Sequence, residues 1–537
     1  MKKRGFSLLL ALCLMVLLPS ASFAKTTDPG VLPIVDEPIT LTIGMPNPTA
    51  VEDVETNYAT KFIEEQTGIN LDFVLFPTTE AAQKLEIMIS AGEKLPDMLW
   101  GFSLSDVAIY RYGTNGIFQD LTPYYENQSY WIKDIVENPQ NAYDMLSVLK
   151  SPDGNIYSVG RLQEETHCEY TRKMFINKTW LEKLGLDMPE TTDELYTVLK
   201  AFKEQDPNGN GIADEIPMAG GTGWNQNPII YLMNAFIYAN GGNNLNVENG
   251  KLSTAYTTEQ WREGLRFVHK LIAVDLLTPL AFTQDQNQLQ QMIQNPDASI
   301  VGSFTAASVS ALLSNYPNMY DYEGMGVITG PDGYGYSVYT PSLPVAQGHI
   351  TMDCENPEAA FRLMDYLWSY DAATICRYGE KDVDWREAVE GDVAYLASIG
   401  RKPARTTLLD LGTLQNKWWN FQHPMALRYD TVDGQIDAGL ELDAWRVLYS
   451  AVPKLVDRHP DEVVIKIVYT EEQIDEIADI NTTINTYVLE AATRFVLGDL
   501  DIEKDWDAYL NELNAMGLER YLDVTQEAYD NFKIELN

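Results

Sequence analysis

The chain has little cysteine and few basic residues, and after its first 24 positions it has no long apolar run. Cysteine occurs 4 times in 537 residues, at Cys13, Cys168, Cys354 and Cys376. Cys13 lies in an N-terminal leader, so a processed chain would hold three thiols and at most one disulfide. An exported protein with so few cysteines depends on its hydrophobic core and not on cross-links. The sequence leaves open whether Cys354 and Cys376 pair.

Basic residues are half as frequent as acidic ones. The chain has 38 Lys and Arg against 78 Asp and Glu, a net charge of −40. Without the three bases of the leader the count is 35 against 78, a net charge of about −43. Such a surface repels phosphate backbones and anionic lipids. The composition therefore argues against nucleic-acid binding and against binding to a membrane surface.

Catalytic motifs are also missing. The histidines number 5 and follow no metal-ligand spacing, and neither a Gly-x-Ser-x-Gly elbow nor a phosphate-binding loop occurs. The 78 acidic residues guarantee chance carboxylate pairs of the kind that glycoside cleavage needs. The sequence predicts a protein that is not an enzyme, with a polysaccharide-acting hydrolase as the main alternative.

The N-terminus has the pattern of a signal peptide. Three basic residues precede an apolar run at 6–18, and Ser22-Phe23-Ala24 supplies the small residues that signal peptidase needs. We expect residues 1–24 to be removed near Ala24 and the product to be secreted, extracellular or periplasmic, at the cell envelope. Cys13 lies inside the apolar run behind Leu12, so there is no lipoprotein signature. No later segment is long and apolar enough to span a bilayer.

The first part of the mature chain alternates strands and helices. Strands are predicted at 39–43, 70–76 and 97–100, with helices at 54–67 and 79–90 between them. Such alternation is typical of an α/β fold with a parallel sheet, and ligands bind at the carboxyl ends of its strands.

The length of the chain favours two lobes. The chain is expected to cross between lobes near 160–176, and strands at 299–304, 325–328 and 336–341 are expected to return across the hinge. The predicted domains are lobe 1, at 39–165 plus about 330–390, and lobe 2, at 166–329 plus about 391–537. Helices dominate the C-terminal part.

One stretch has the layout of an EF-hand-like calcium loop. Oxygen-bearing side chains stand at loop positions one, three, five and nine, with a glycine at position six. Position twelve, which is a bidentate Glu in an EF-hand, is Pro217. The alternative is an Asn/Gly-rich surface turn that binds no metal. The predicted ligands of a structural Ca²⁺ are Asp206, Asn208, Asn210, the Ile212 carbonyl, Asp214 and Glu215.

The flanks of the loop predict helix, loop, strand. A capping box from Thr191 to Glu194 starts a helix with apolar residues at helical spacing up to Phe202. After the loop, Pro217 and the paired glycines at 220–221 prevent a second helix. This arrangement favours a static structural site over a calcium switch.

This block carries a family resemblance. The stretches at 175–186 and 189–203, with the Asp-Pro-Asn-Gly-Asn-Gly loop, resemble the large extracellular solute-binding proteins of ABC carbohydrate importers, especially the alginate-oligosaccharide-binding branch. Further similar stretches are 357–367, 378–379, 516–518 and 526–529. The resemblance implies a two-lobed, periplasmic-binding-protein-like fold of type II. It also implies a structural calcium ion away from the sugar, held by the carboxylates of Asp206, Asp214 and Glu215.

The function implied is capture of an oligosaccharide by lobe closure and delivery to ABC importer permease subunits, by a protein acting as a monomer. The acidic charge favours a neutral or weakly charged sugar. A peptide-binding receptor of the same fold and a calcium-stiffened adhesin are further alternatives. Relatives in single-membrane bacteria are usually lipoproteins, so retention at the cell surface is not explained by the sequence.

Aromatic rings and one basic island are the candidate sugar contacts. Sugars pack their C–H faces on aromatic rings, while amides, carboxylates and arginines bond the hydroxyls. Loop and strand-end positions favour Trp100, Trp224, Tyr339, Trp385, Trp418 and Trp419, each of which could instead belong to the core. Arg401, in the basic stretch 401–405, could meet a uronate or sulfate or could form an internal salt bridge.

Overall fold

The computed structural model describes residues 25–534 apart from 297, 315, 409–413, 420–421, 438–442 and 533. The predicted signal peptide at 1–24, with Cys13, lies outside the described residues. Within them, no helix has both the length and the apolar character that a membrane span requires.

Strands and helices alternate in the first part of the chain and helices dominate the last. The strands are β1 (Ile39–Pro46), β2 (Ile69–Phe76), β3 (Met98–Trp100), β4 (Val159–Gln163), β5 (Lys173–Asn177), β6 (Leu245–Glu248), β7 (Lys251–Thr254), β8 (Ser303–Ala306), β9 (Tyr322–Gly324), β10 (Val345–Ile350), β11 (Trp385–Glu387), β12 (Arg405–Thr407) and β13 (Met425–Leu427). The helices are α1 (Tyr58–Thr67), α2 (Ala81–Ala91), α3 (Asp106–Thr114), α4 (Thr122–Asn127), α5 (Trp131–Val136), α6 (Thr166–Glu169), α7 (Lys178–Leu184), α8 (Thr192–Glu204), α9 (Pro228–Met233), α10 (Glu259–Ala273), α11 (Gln286–Ile293), α12 (Ser310–Leu313), α13 (Pro357–Tyr366), α14 (Tyr370–Tyr378), α15 (Tyr429–Val432), α16 (Ala444–Ala451), α17 (Glu471–Leu497), α18 (Trp506–Ala515) and α19 (Leu518–Asn531).

The first lobe is built on a mixed sheet. Among the described residues its 6 strands have the order β13-β4-β10-β3-β1-β2. β1 pairs in parallel with β2 and β3, as the β-α alternation predicted, while β10 is antiparallel to β3 and β4. The carboxyl ends of β1, β3, β4 and β13 therefore meet at one edge of the sheet. The core of this lobe draws mainly on positions 34–162 and 350–376.

The second lobe has a smaller sheet and more helix. β5 lies between β8 and β9 and is antiparallel to both. The long helix α17 packs on α10 and α19 and closes the largest core cluster, which combines residues 174–328 with residues 477–524. The hydrophobic faces of the C-terminal helices thus cover residues far away in sequence.

The structure differs from the sequence expectations at several strands. Residues 336–341 form no strand, and β10 supplies the returning strand instead. Residues 325–328 also form no strand, since β9 ends at Gly324 just before them. The region from about 391 was assigned to the second lobe, yet β13 pairs with β4 in the first sheet. Non-local pairing decides each of these positions, and local sequence does not encode it.

Candidate functional site

A groove runs along the second lobe at its border with the first. It consists of two adjoining cavities of about 560 Å³ and about 440 Å³, which share Gly242 and Asn485. We call it the Trp224 groove. Its lining includes Arg172, Thr222, Trp224, Asn225, Asn227, Asn244, Phe282 and Leu489 in the first cavity, and Tyr238, Asn240, Asn243, Tyr339, Lys466, Tyr469, Asn481 and Tyr521 in the second.

Trp224 is the exposed aromatic ring of this groove. Its side chain is 65% exposed, although it sits in a well-fixed turn. The Gly221 N–H donates to the Gln226 carbonyl (3.0 Å), and the Thr222 N–H donates to the Gln284 carbonyl (2.9 Å). A large apolar ring held in the open by a rigid turn offers a flat face to a ligand. Trp224, a candidate from its loop position, is thus exposed in the groove, while its contact with sugar stays a prediction.

Amide side chains line both cavities of the groove. In the run 240–244 the Asn240 Oδ1 accepts the N–H groups of Gly242 (2.8 Å) and Asn244 (3.0 Å), which folds the run into a tight turn. On α17, Asn485 Nδ2 donates to Asn481 Oδ1 over 2.9 Å. Sequence reasoning missed both groups. The signal was available, because two asparagines spaced i, i+4 are poor helix formers and are unusual in the middle of a helix.

Arg172, also missed from the sequence, forms part of the groove floor. Its Nε donates to the Asn240 carbonyl (3.3 Å) and its Nη2 to the Gly241 carbonyl (3.4 Å). A Cβ on Gly241 would lie 2.1 Å from Nη2, so the guanidinium can sit on this turn only because residue 241 is glycine. Burial lowers the pKa of Arg172 to about 10.

Tyr339, a predicted sugar contact, lies in the second cavity. Its ring stacks on His459 at 4.0 Å between centroids and 11° between planes. Its backbone N–H donates to the Tyr238 hydroxyl, which in turn donates to the Tyr339 carbonyl, both over 3.2 Å. These contacts fix the ring at the groove wall.

Acidic side chains are absent from the described lining of the groove. Neither cavity is lined by an Asp or Glu, although the chain has 78 of them in 537 residues. At the frequency of Asp and Glu in the whole chain, a lining of this size would contain several acidic residues. The chemistry offered is stacking, amide hydrogen bonding and positive charge, and the carboxylate pair that glycoside cleavage needs is not present among these residues.

The other four predicted tryptophans are packed in protein interior. Trp100, Trp385, Trp418 and Trp419 are each exposed by 2% or less. Trp419 Nε1 donates to Thr60 Oγ1 (2.7 Å), and its ring lies 5.8 Å from that of Trp100. Trp385 Nε1 donates to the Gly379 carbonyl (3.0 Å). In this structure these rings have the contacts of core residues and none lines the Trp224 groove.

Arg401 lies outside the groove. Its Nε is 2.9 Å from the carboxylate of the buried Asp433, and its guanidinium lies 4.6 Å from the centre of the Tyr429 ring. It lines a separate cavity of about 660 Å³ at the β13 edge of the first sheet. The structure thus pairs Arg401 internally, as in the salt-bridge alternative.

The 206–217 loop is folded around the Asp206 carboxylate. Asp206 Oδ1 accepts the N–H groups of Gly209 (2.9 Å) and Asn210 (3.1 Å), and Oδ2 accepts that of Gly211 (3.1 Å). The side-chain amide of Asn208 donates to Asp214 Oδ1 over 3.0 Å. The loop therefore winds its backbone around Asp206 and brings Asn208 next to Asp214, while calcium binding there stays a prediction.

The surroundings of Glu215 indicate whether this loop fits a cation. Its Oε1 is buried and has no hydrogen-bond partner among the described residues. Burial raises the pKa of its carboxyl, and the nearby carboxylates of Asp206 and Asp214 raise it further. A buried carboxylate oxygen without a partner, next to two like charges, is unfavourable unless a cation compensates it. The residues present fit a hard divalent ion.

A second cluster of ligand-type atoms lies between the lobes. One oxygen of Glu165, one nitrogen of His167 and the sulfur of Cys168 lie within 4.8 Å of one another. His167 Nε2 is 2.9 Å from Glu165 Oε1. Burial opposes ionisation of Glu165, but His167, Gln163 and the charge of Arg377 outweigh it and lower its pKa to about 2. We interpret the cluster as a buried hydrogen-bonded pair of Glu165 and His167 that fixes the crossing segment.

Comparison with known proteins identifies relatives over almost the whole chain. A fructooligosaccharide ABC transporter substrate-binding protein, FusA of Streptococcus pneumoniae, is 26% identical over 510 residues, covering 91% of this chain and 90% of the relative. The structure of FusA in complex with kestose is 25% identical with a TM-score of 0.71, covering 92% of this chain and 99% of that one. A solute-binding protein from Bifidobacterium longum infantis, described as binding HMO, has a TM-score of 0.77 at 20% identity, covering 93% of this chain and 100% of that one.

These neighbours confirm the predicted two-lobed α/β solute-binding fold with its helix-rich C-terminal part. The family described as bacterial extracellular solute-binding protein matches residues 49–374, more than half of the chain. The match includes β3, the loop at 206–217 and Trp224, and the relatives are substrate-binding proteins. The chain therefore belongs to the bacterial extracellular solute-binding protein family.

Proposed function

We propose that this protein is an extracellular receptor that binds an oligosaccharide in the Trp224 groove and delivers it to the permease of an ABC importer. The observation that carries the proposal is the groove itself, with an exposed aromatic ring, amide donors and acceptors, and no carboxylate among its described lining residues. FusA, its relative over most of the chain, is named for fructooligosaccharide transport. Of the predicted contacts, Trp224 and Tyr339 are retained as sugar contacts.

Closure of the lobes would couple binding to transport. The groove borders the first lobe, because Lys466 in its lining bonds Asp106 and the Val148 carbonyl, both at 2.8 Å. A ligand that contacts both lobes binds the closed state better and shifts the population towards it. The closed form is then the one that the permease recognises.

The loop would hold a structural Ca²⁺. Asp206, Asp214 and Glu215 would provide carboxylates, and Asn208, Asn210 and the Ile212 carbonyl would complete the oxygen set. Bound calcium supplies positive charge that compensates the three carboxylates. The loop follows α8, and the strand-like stretch after it bridges to β8 through Ala219 and Phe304. A stiff loop would therefore help to position the turn that carries Trp224.

A thermal-shift titration of the mature protein against neutral and acidic oligosaccharides and against short peptides tests this proposal. A ligand at ~100 times its dissociation constant adds roughly 2.7 kcal/mol of stability. We expect a sugar to raise the melting temperature and to be recovered intact by chromatography. Cleavage of the sugar would support the hydrolase alternative, and a shift with peptides alone would support a peptide receptor.

A further inference from the structure

The charge inside the Trp224 groove is opposite to the charge of the protein. Acidic residues outnumber basic ones 78 to 38 in the chain, yet the charged residues in the described lining are Arg172 and Lys466. Carboxylates are good acceptors for sugar hydroxyls, so a groove for a neutral sugar would gain from them. The absence of carboxylates from the described lining is therefore a property of this groove that stacking on Trp224 does not explain.

The two basic residues differ in how they are neutralised. Lys466 Nζ lies 2.8 Å from Asp106 Oδ1. Arg172 bonds only two backbone carbonyls, at 3.3 and 3.4 Å, and within the described residues its Nη1 has no acceptor. Burial lowers its pKa to about 10, and no carboxylate opposes this effect. By contrast, Arg401 and Arg428 each lie within 3 Å of a buried carboxylate, Asp433 and Glu164.

We propose that the oligosaccharide bound in the Trp224 groove is acidic, and that a hexuronate carboxylate pairs with Arg172 while a sugar ring packs on Trp224. This inference rests on the proposed receptor function and names its ligand class. A guanidinium presents parallel N–H groups that match the two oxygens of a carboxylate. The carboxylate would neutralise the one groove cation that the protein leaves without a counter-charge.

The net charge of the protein opposes an acidic ligand only weakly. At physiological ionic strength, charges on the outer surface are screened over about 8 Å. A contact pair inside a cavity is screened much less, because little water separates the charges. The local pairing with Arg172 therefore outweighs the distant acidic surface once the ligand is seated.

Isothermal titration of the mature protein with triuronates of galacturonic, glucuronic and mannuronic acid tests the inference. The matched neutral ligand is the fully methyl-esterified form of each, and a sulfated neutral trisaccharide tests another anion. We expect one triuronate to bind at least about tenfold more tightly than its ester, since a hydrogen bond to a charged group contributes roughly 1.5–3 kcal/mol. Arg172→Gln should remove this difference, and Arg172→Lys should restore part of it.

Lys94→Gln is the control, because it removes one positive charge from an exposed position with no ion pair described. It should leave the preference for the triuronate unchanged. Thermal melts of each variant verify folding. Equal or tighter binding of the esters overturns the acidic-ligand inference but leaves the receptor function intact. The inference also fails if the sulfated sugar is preferred to every triuronate, or if Arg172→Gln keeps the preference. If none of these sugars binds, the inference fails, and the thermal-shift titration against other neutral oligosaccharides and peptides decides the receptor function.

Discussion

The ammonium group of Lys466 in the second lobe lies 2.8 Å from the carboxylate of Asp106 in the first. The same Nζ donates to the Val148 carbonyl of the first lobe over 2.8 Å. Lys466 therefore lines the groove and also joins the two lobes. In a receptor that works by closure, this contact favours the closed arrangement.

Removing this interlobe pair should open the ligand-free protein. In Asp106→Asn the ionic part of the contact is lost. Because both groups are partly exposed, we expect the closed state to lose about 0–1 kcal/mol of stability. Ligand binding should then be weaker by up to about fivefold. Small-angle scattering should show a larger radius of gyration without ligand. Asp72→Asn removes the same charge from an exposed position on β2 and should change neither quantity. Identical scattering for Asp106→Asn and wild type would contradict the role of this contact.

Trp224→Ala should weaken oligosaccharide binding without affecting the fold. The ring is 65% exposed, so its removal should change the free energy of unfolding by less than about 0.5 kcal/mol. A tryptophan at the centre of a binding site contributes roughly 2 kcal/mol or more, which corresponds to about 30-fold in affinity. Calorimetric titration measures the loss, and Trp224→Phe should retain part of the affinity. Unchanged affinity in Trp224→Ala would place the sugar elsewhere.

Chelation should destabilise the protein through the 206–217 loop. If Ca²⁺ binds there, removing it with EGTA exposes Glu215 to uncompensated repulsion from Asp206 and Asp214, so the melting temperature should fall. Mg²⁺ should restore less stability than Ca²⁺, because it requires a stricter octahedral geometry. Asp214→Asn should abolish most of the calcium-dependent shift. A shift of the same size in that variant would show that calcium acts at another site.

A comparison of Gly241→Ala with Gly185→Ala distinguishes the effect of backbone strain from the effect of displacing Arg172. Both glycines have positive φ, +76° and +66°, so alanine should cost each about 1–2 kcal/mol of stability. A Cβ at 241 also meets the Arg172 guanidinium at 2.1 Å, whereas nothing lies within 4 Å of a Cβ at 185. Ligand affinity should therefore fall in Gly241→Ala alone. If both variants lose the same affinity, backbone strain and not displacement of Arg172 causes the loss.

Acid should destabilise the first lobe through His349. Its ring is buried against Phe118 at 4.6 Å, and its Nδ1–H donates to the Tyr157 carbonyl over 2.9 Å. Burial lowers its pKa from 6.5 to about 4. Between these values the unfolded chain takes up the proton and the folded chain does not, so stability is full above pH 6.5 and falls as the pH drops towards 4. The loss is about 3 kcal/mol.

Urea unfolding between pH 7 and pH 4 measures this loss. In His349→Gln the decline should shrink by about that amount, whatever the variant's stability at pH 7. Phe118→Leu removes the stacked ring but keeps the titrating group, so its pH-dependent decline should persist. A decline of wild-type size in His349→Gln would exclude this histidine as the cause.

Local signals predicted the part of the chain just before the 206–217 loop well. The capping box is present, with Thr191 Oγ1 accepting the Glu194 N–H (3.2 Å) and Glu194 accepting the Thr191 N–H (3.0 Å). α7 runs from Lys178 to Leu184 and ends at Gly185, a residue type that commonly terminates helices. These features depend on residues within a few positions of one another, which is why one sequence is enough to find them.

The groove could not be predicted in the same way. Arg172, Trp224, the 240–244 turn, Lys466 and Asn485 come from distant parts of the chain and meet only because α17 packs on α10 and the chain returns past β5. Trp100 and Trp419 show the converse, since strand-end and loop positions suggested exposure and packing of the two rings buried both.

The sequence by itself determined the acidic balance, the α/β alternation, the helices with their caps, the oxygen spacing of the loop and the resemblance to the family. Each of these depends on composition or on residues close together in the chain. The tertiary structure alone decided which aromatic rings are exposed, that the groove has no acidic lining residue among those described, and that Arg172 lacks a counter-charge there. Burial and charge pairing are sums over contacts between distant residues, so they exist only once the lobes are packed.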